Sequence, residues 1–200
     1  MQEVTMDKEF SELVQEKFSF LIDKNRFRCI SVAAFDVRYE SDKIFVVVHY
    51  DANRSYEVGV EIGQKNVLFD GKERPFNLGE ILRLNGVAEK EGYKSFQAAD
   101  PVSLVYCLSR LSSWLEVYAI DFLKNDRFSF KRLSDFREKE CDQYELETKL
   151  SHIRREVQIA WSNKDYSKVS ELYKPVENFL SEAEKKKLAF AQRQMSNLPN

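Results

Sequence analysis

The amino-acid sequence predicts an α+β fold, an antiparallel β-meander packed on helices and followed by an all-helical C-terminal hairpin or arm. Three observations predict it. Segments 26–40, 43–51 and 55–63 are β-rich and separated by turns too short for a crossover, so neighbouring strands run antiparallel. Residues 100–124 form a long apolar helix able to lie across such a sheet. From residue 128 onward the apolar spacing is helical throughout.

Each element has its own signal. Phe10, Leu13, Val14, Phe18, Leu21 and Ile22 recur at helical steps, with Asp7 placed to cap the first helix. The stretch 26–40 is long for one strand and is expected to bend near Ala33 and Ala34. Segment 43–51 follows a Ser41–Asp42 turn, and 55–63 follows Asp51–Asn53. Residues 75–86 read as a short helix closed by Asn85–Gly86. Asp100 can cap the long helix and Pro101 suits its first turn, while Leu104, Leu108, Leu111, Leu115 and Tyr118 form its inner stripe. Trp114 and Phe122 broaden that stripe.

In the C-terminal part, Leu146, Leu150, Ile153, Val157 and Ala160 make a heptad-like seam. Val169, Leu172, Val176 and Phe179 form a second stripe, interrupted by Pro175, and Leu188, Ala191 and Met195 a third. Ser181 and Glu184 have the spacing of a capping box. The junction falls near Lys124–Phe128, giving an α+β domain over 1–125 and a helical region over 126–200.

Composition narrows the function. With 43% hydrophobic and 13% aromatic residues the chain can bury a sizeable core. A net charge of -2 and a pI near 5.9 lack the basic signature of a nucleic-acid binder. Residues 1–125 carry 16 Lys+Arg against 20 Asp+Glu, whereas 126–200 carry 15 against 13. The short basic runs at Arg154–Arg155 and Lys185–Lys187 have the look of solvated helix faces. Cys29, Cys107 and Cys141 are odd in number and at no metal-ligand spacing, which predicts buried free thiols in a reducing compartment. No secretion signal and no run of about 20 apolar residues is visible, so a cytoplasmic location away from membranes is expected.

The stretch Ser55–Gln64 carries the functional question. Tyr56, Val58, Val60 and Ile62 alternate with Glu57, Gly59, Glu61 and Gly63, which commits the first set to the core and sends the two acids outward. Residues four apart on a strand lie about 13 Å apart, beyond the roughly 5–9.5 Å of paired glycosidase carboxylates. A metal-dependent nuclease would use Asp51, Glu57 and Glu61, but glycine stands where its lysine belongs. His49 and His152 have no partner at ligand spacing, and no phosphate loop, nucleophile elbow or Cys-x-x-Cys occurs. The expectation is a non-enzymatic protein-binding protein with no cofactor and no metal. Asp51, Glu57 and Glu61 would engage a basic protein partner, with the glycines letting that partner approach closely. The alternative is a scaffold or adaptor that self-associates, or binds a peptide, through the helical tail.

The order helix, meander, "YEVGVEIG", "PFNLGEILRLNG" and "YKSFQAADPVSLVYCLSRLSSWLEVYAIDFL" resembles small uncharacterised bacterial cytosolic proteins. Some of these are similar to immunity proteins of polymorphic-toxin and contact-inhibition systems. The resemblance covers roughly residues 5–125 and implies a protein that neutralises a toxin domain by surface complementarity. It carries over no site residues, because immunity surfaces vary with their toxin. The stretch "AWSNKDYSKVSELY" is similar in texture to a tetratricopeptide hairpin, although a solenoid needs about three such units.

Overall fold

The computed structural model describes residues 6–196, with side chains from Phe10 onward. The chain divides into two compact units, Met1–Arg137 and Glu138–Asn200.

In the first unit, α1 (Met6–Lys17) and α2 (Phe20–Asp23) lead into four strands. These are β1 (Arg28–Ala33), β2 (Asp36–Glu40), β3 (Ile44–Tyr50) and β4 (Glu57–Gln64), all antiparallel in sequential order. The meander expected from short turns is present. The stretch 26–40 does not merely bend; it folds back at Ala34–Phe35 to make β1 and β2. Asp7 lies inside α1 instead of preceding it. A two-stranded ribbon of β5 (Leu68–Phe69) and β6 (Lys72–Glu73) follows β4. Then come β7 (Phe76–Asn77), α3 (Leu78–Leu84) and β8 (Phe96–Gln97), the two short strands pairing with opposite ends of β4.

The sheet's inner face is the core. Val37, Tyr39, Ile44, Val46, Val48, Val60 and Ile62 are all at most 2% exposed. They meet α4 (Pro101–Tyr118) through Leu104, Leu108, Leu111 and Leu115, with α1 supplying Phe10 and Val14. Asp100 caps α4 by accepting from the N–H groups of Val102 and Ser103, each at 2.9 Å, and Pro101 opens its first turn. The helix read over 101–124 is broken at Ala119, and α5 (Ile120–Leu123) continues beyond. Two inner-face expectations are corrected. Tyr56 precedes β4 with φ of +55° and is 42% exposed, because the turn from Asp51 takes it out of the alternation. Ile22 is 46% exposed, since α1 ends at Lys17 and the chain turns before α2.

Helix α6 (Arg127–Ser162) begins in the first unit and ends in the second. Its Arg137 holds Glu80 of α3 in two contacts of 2.6 Å and donates to the Pro75 carbonyl at 2.7 Å. Glu80 also accepts from the Asn77 N–H at 2.8 Å, closing a capping box around the start of α3.

The second unit is helical throughout the described residues. After the α6 end come α7 (Tyr166–Tyr173), a 3₁₀ segment Lys174–Phe179 that opens with Pro175, and α8 (Glu182–Ser196). Leu150, Val157, Ala160, Val169, Val176, Leu188 and Ala191 make its core, as the stripes predict. Phe179 and Met195 depart from those stripes, at 53% and 40% exposed. Ser181 and Glu184 form the expected box, and Arg154 at 2.7 Å holds the Glu184 carboxyl down at about 2.

Candidate functional site

The outer face of the meander is the surface to which the sequence directs attention. Strand alternation and register place Asp36, Arg38 and Glu40 of β2 beside His49, Val47 and Phe45 of β3. Beyond them lie Gly59, Glu61 and Gly63 of β4, with Glu57 at its end. The glycines do not leave the gaps expected of them. A Cβ at Gly59 would lie 2.4 Å from His49 Nε2, and one at Gly63 would lie 2.4 Å from Phe45 Cζ. Each glycine is a seat for the ring of its cross-strand partner, an aromatic filling of glycine space within a sheet. The outer surface there is therefore the half-exposed imidazole of His49 at one glycine and Arg38 over the buried Phe45 ring at the other, and not bare backbone.

Charge divides this face in two. At the Phe45 end the carboxylates, Glu40 and Glu73, are paired. The Arg38 guanidinium lies 4.1 Å from the Phe45 ring centroid, contacts Glu40 at 2.8 Å and grips both oxygens of Glu73 at 2.9 Å. Lys65 reaches the other oxygen of Glu40 at 2.6 Å. The Lys65 contact, followed by that of Arg38, holds the Glu40 carboxyl below the usual carboxylate range. Through Glu73 the β5–β6 ribbon is tied to β2, a link that nothing in the sequence signalled.

At the His49 end the carboxylates have no counter-ion among the described residues. Asp36, Glu57 and Glu61 form no ion pair among the described residues, although Glu57 is exposed and the other two are half-buried. His49 sits over Gly59, between Glu57 and Glu61 along β4 and opposite Asp36 of β2. Thus Glu57 and Glu61 are on one face as the alternation requires. Asp51 is used elsewhere. Its carboxylate closes the β3–β4 turn by accepting from the N–H groups of Asn53, Arg54 and Ser55 and from Ser55 Oγ at 2.9 Å. The Ser55 hydroxyl bond leads the causes that lower its pKa. Asp36, not singled out in the sequence, takes its place on the face.

A second feature escaped the sequence reading. Arg110, Trp114 and Tyr118, one helical turn apart on α4, converge on Glu91 of the loop before β8. Tyr118 donates at 2.7 Å, Trp114 Nε1 at 3.0 Å and Arg110 at 3.3 Å, and the Tyr118 bond leads in lowering the Glu91 pKa. Phe96 stacks on Trp114 at 5.4 Å, and Tyr93 meets that ring edge-on at 5.7 Å. The clamp fixes a loop that otherwise lacks regular structure. On it, Arg83, Tyr93 and Lys94 help to line an open recess of ≈ 550 Å³. The helical spacing on α4 was legible, but its loop partner was not.

The remaining candidates are placed plainly. His152 is exposed and contacts Arg155 at 3.3 Å. Of the cysteines only Cys107 is buried; Cys29, on the edge strand, is half-buried against the core and Cys141 is exposed on α6. Among the described residues no group of three His, Cys, Asp or Glu side chains is arranged to hold a metal ion. No helix among them is long and apolar enough to cross a membrane. No protein-family model, curated protein or solved structure matches the chain.

Proposed function

We propose that this chain is a non-enzymatic protein-binding protein whose outer sheet face receives a basic protein partner, in the manner of an immunity protein occupying a toxin domain. One observation carries the reading. Among the described residues, Asp36, Glu57 and Glu61 stand unpaired at one end of a face whose other acids, Glu40 and Glu73, are each matched with a cation. Unpaired carboxylates on a flat sheet attract and steer cations, and pairing them across an interface adds coupling that buried pairs strengthen. His49, half-exposed over Gly59, adds ring surface to that end of the face. Asp51, closed on its own turn, is left out of the binding set.

The helical-tail alternative has less to rest on. Val176 is 2% exposed and Leu172 packs against the second unit's own core, which leaves Phe179 alone of that trio facing water.

The test is co-purification with the product of the adjacent reading frame, using wild type and Glu57→Lys with Glu61→Lys. The wild type should form a complex whose association slows as salt rises, and the double variant should lose most of that salt dependence. Equal complex formation by both proteins removes the acidic face as the binding surface.

A further inference from the structure

We infer that β1 is the seam of a homodimer, pairing antiparallel with β1 of a second copy so that a single sheet runs through both chains. This rests on the sheet's edge and shares one residue with the outer-face reading: Asp36 is taken up at the seam, which leaves Glu57 and Glu61 to a basic partner.

The sheet has one open side. β4 is flanked by β7 and β8, whereas β1 ends the strand order and no further strand pairs with it among the described residues. Five of its six residues are exposed, including Ile30 at 56% and Val32 at 50%. An edge strand of this kind presents unpaired N–H and C=O groups, which another strand can satisfy.

Register selects the second copy as occupant. Cys29 and Val32 lie opposite Tyr39 and Val37, both fully buried, so they belong to the inner face. Arg28, Ser31 and Ala33 lie opposite Glu40, Arg38 and Asp36 and belong to the outer face. The shift between Cys29 and Ser31 makes Ile30 the bulge residue, which limits indiscriminate edge pairing. Antiparallel pairing that sets Arg28 against Ala33 of the second copy also sets Cys29 against Val32, face matched to face. A slip of one residue inverts every match.

Charge fits the same register. Arg28 forms no ion pair among the described residues, because its cross-strand neighbour Glu40 is already held by Arg38 and Lys65. Asp36 likewise forms no ion pair among the described residues. Across the seam, Arg28 would stand two strand spacings, about 9.6 Å, from Asp36 of the second copy, with only the methyl group of Ala33 between them. An extended guanidinium spans that gap, and two-fold symmetry makes the pair twice. A foreign strand would have to reproduce both the face pattern and this charge order; the chain already contains them.

The test uses the full chain with Cys141→Ser to remove the exposed thiol. Adding Val32→Cys places a thiol opposite native Cys29 of the second copy, so mild oxidation should give a disulfide-linked dimer that disappears when Cys29→Ser is also present. Light scattering should show the wild type self-associating, Arg28→Glu weakening it about tenfold, and Arg28→Glu with Asp36→Arg restoring it. Circular dichroism of each variant confirms that the fold is retained, and the cross-link reads the seam without altering any charge. A wild type that stays monomeric overturns the inference, as does a dimer that neither cross-links through Val32→Cys nor responds to Arg28→Glu.

Discussion

The two ends of the sheet's outer face share a construction and differ in charge. Both place a β3 ring on a β4 glycine, Phe45 on Gly63 and His49 on Gly59. At the Phe45 end the ring is 2% exposed and roofed by Arg38, which joins Glu40 and Glu73 into a network. At the His49 end the ring is half-exposed and Asp36, Glu57 and Glu61 are without cations among the described residues. The same packing device therefore serves stability at one end and leaves charge free at the other. The cations that make the difference are Arg38 and Lys65, which bond to the acids of the Phe45 end.

The sharpest way to break the comparison is to fill the two glycines. Gly63→Val must displace a buried phenyl ring, and overpacking of that kind costs about 1–3 kcal/mol. Gly59→Val meets an imidazole free to swing toward solvent, and should cost under about 1 kcal/mol. Urea unfolding of the two variants measures the difference. Equal costs would mean that the ends are equally rigid.

Arg38→Ala comes next. It strips the roof from Phe45 and leaves Glu40 and Glu73 short of a cation, so a loss of about 1–2 kcal/mol is expected after allowing for the partial exposure of all three groups. The pH dependence of the same network is smaller and has a definite sign. Lys65 and Arg38 lower the pKa of Glu40 in the fold. Its contribution is therefore present above the unfolded value near 4.3 and is lost as pH falls through the lower folded value. Glu40→Gln should accordingly unfold with a shallower pH dependence on the acid side of about pH 4 than the wild type. Parallel acid titrations of the two proteins check this.

Most of the fold was legible because its signals are local. Asp100–Pro101 announces α4, Ser181 and Glu184 announce α8, and the turns at Ser41–Asp42 and Asp51–Asn53 announce a meander. The fold-back at Ala34–Phe35 was missed because it uses neither glycine nor proline, so 26–40 read as one bent strand. Tyr56 was misplaced because alternation alone does not show where a strand starts; the Asp51 turn does. The candidate face was legible only in part. Glu57 and Glu61 follow from period two, but the meaning of Gly59 and Gly63 depends on which β3 residue stands opposite, and register is a long-range property. The Glu73–Arg38 and Glu91–α4 links were invisible for the same reason, each joining residues far apart in the chain.

The smallest expected effect is the most telling. Glu57→Lys with Glu61→Lys should change the unfolding free energy by no more than about 0.5 kcal/mol, the usual range for surface positions without a structural partner. Neither carboxylate holds a cation among the described residues, and both flank an imidazole that rests on Gly59. Reversing the charge also brings lysines toward Asp36 across the face, so the sign of the small change is expected to be favourable at low salt and to vanish as salt screens it. Guanidinium chloride, itself a salt, would hide this; urea at two ionic strengths reveals it. A cost above about 1 kcal/mol would show that the acids support the sheet, and their lack of cations would then no longer point to a partner. A neutral result joined to lost binding separates the two roles, since a face that folding does not need but association does is an interface.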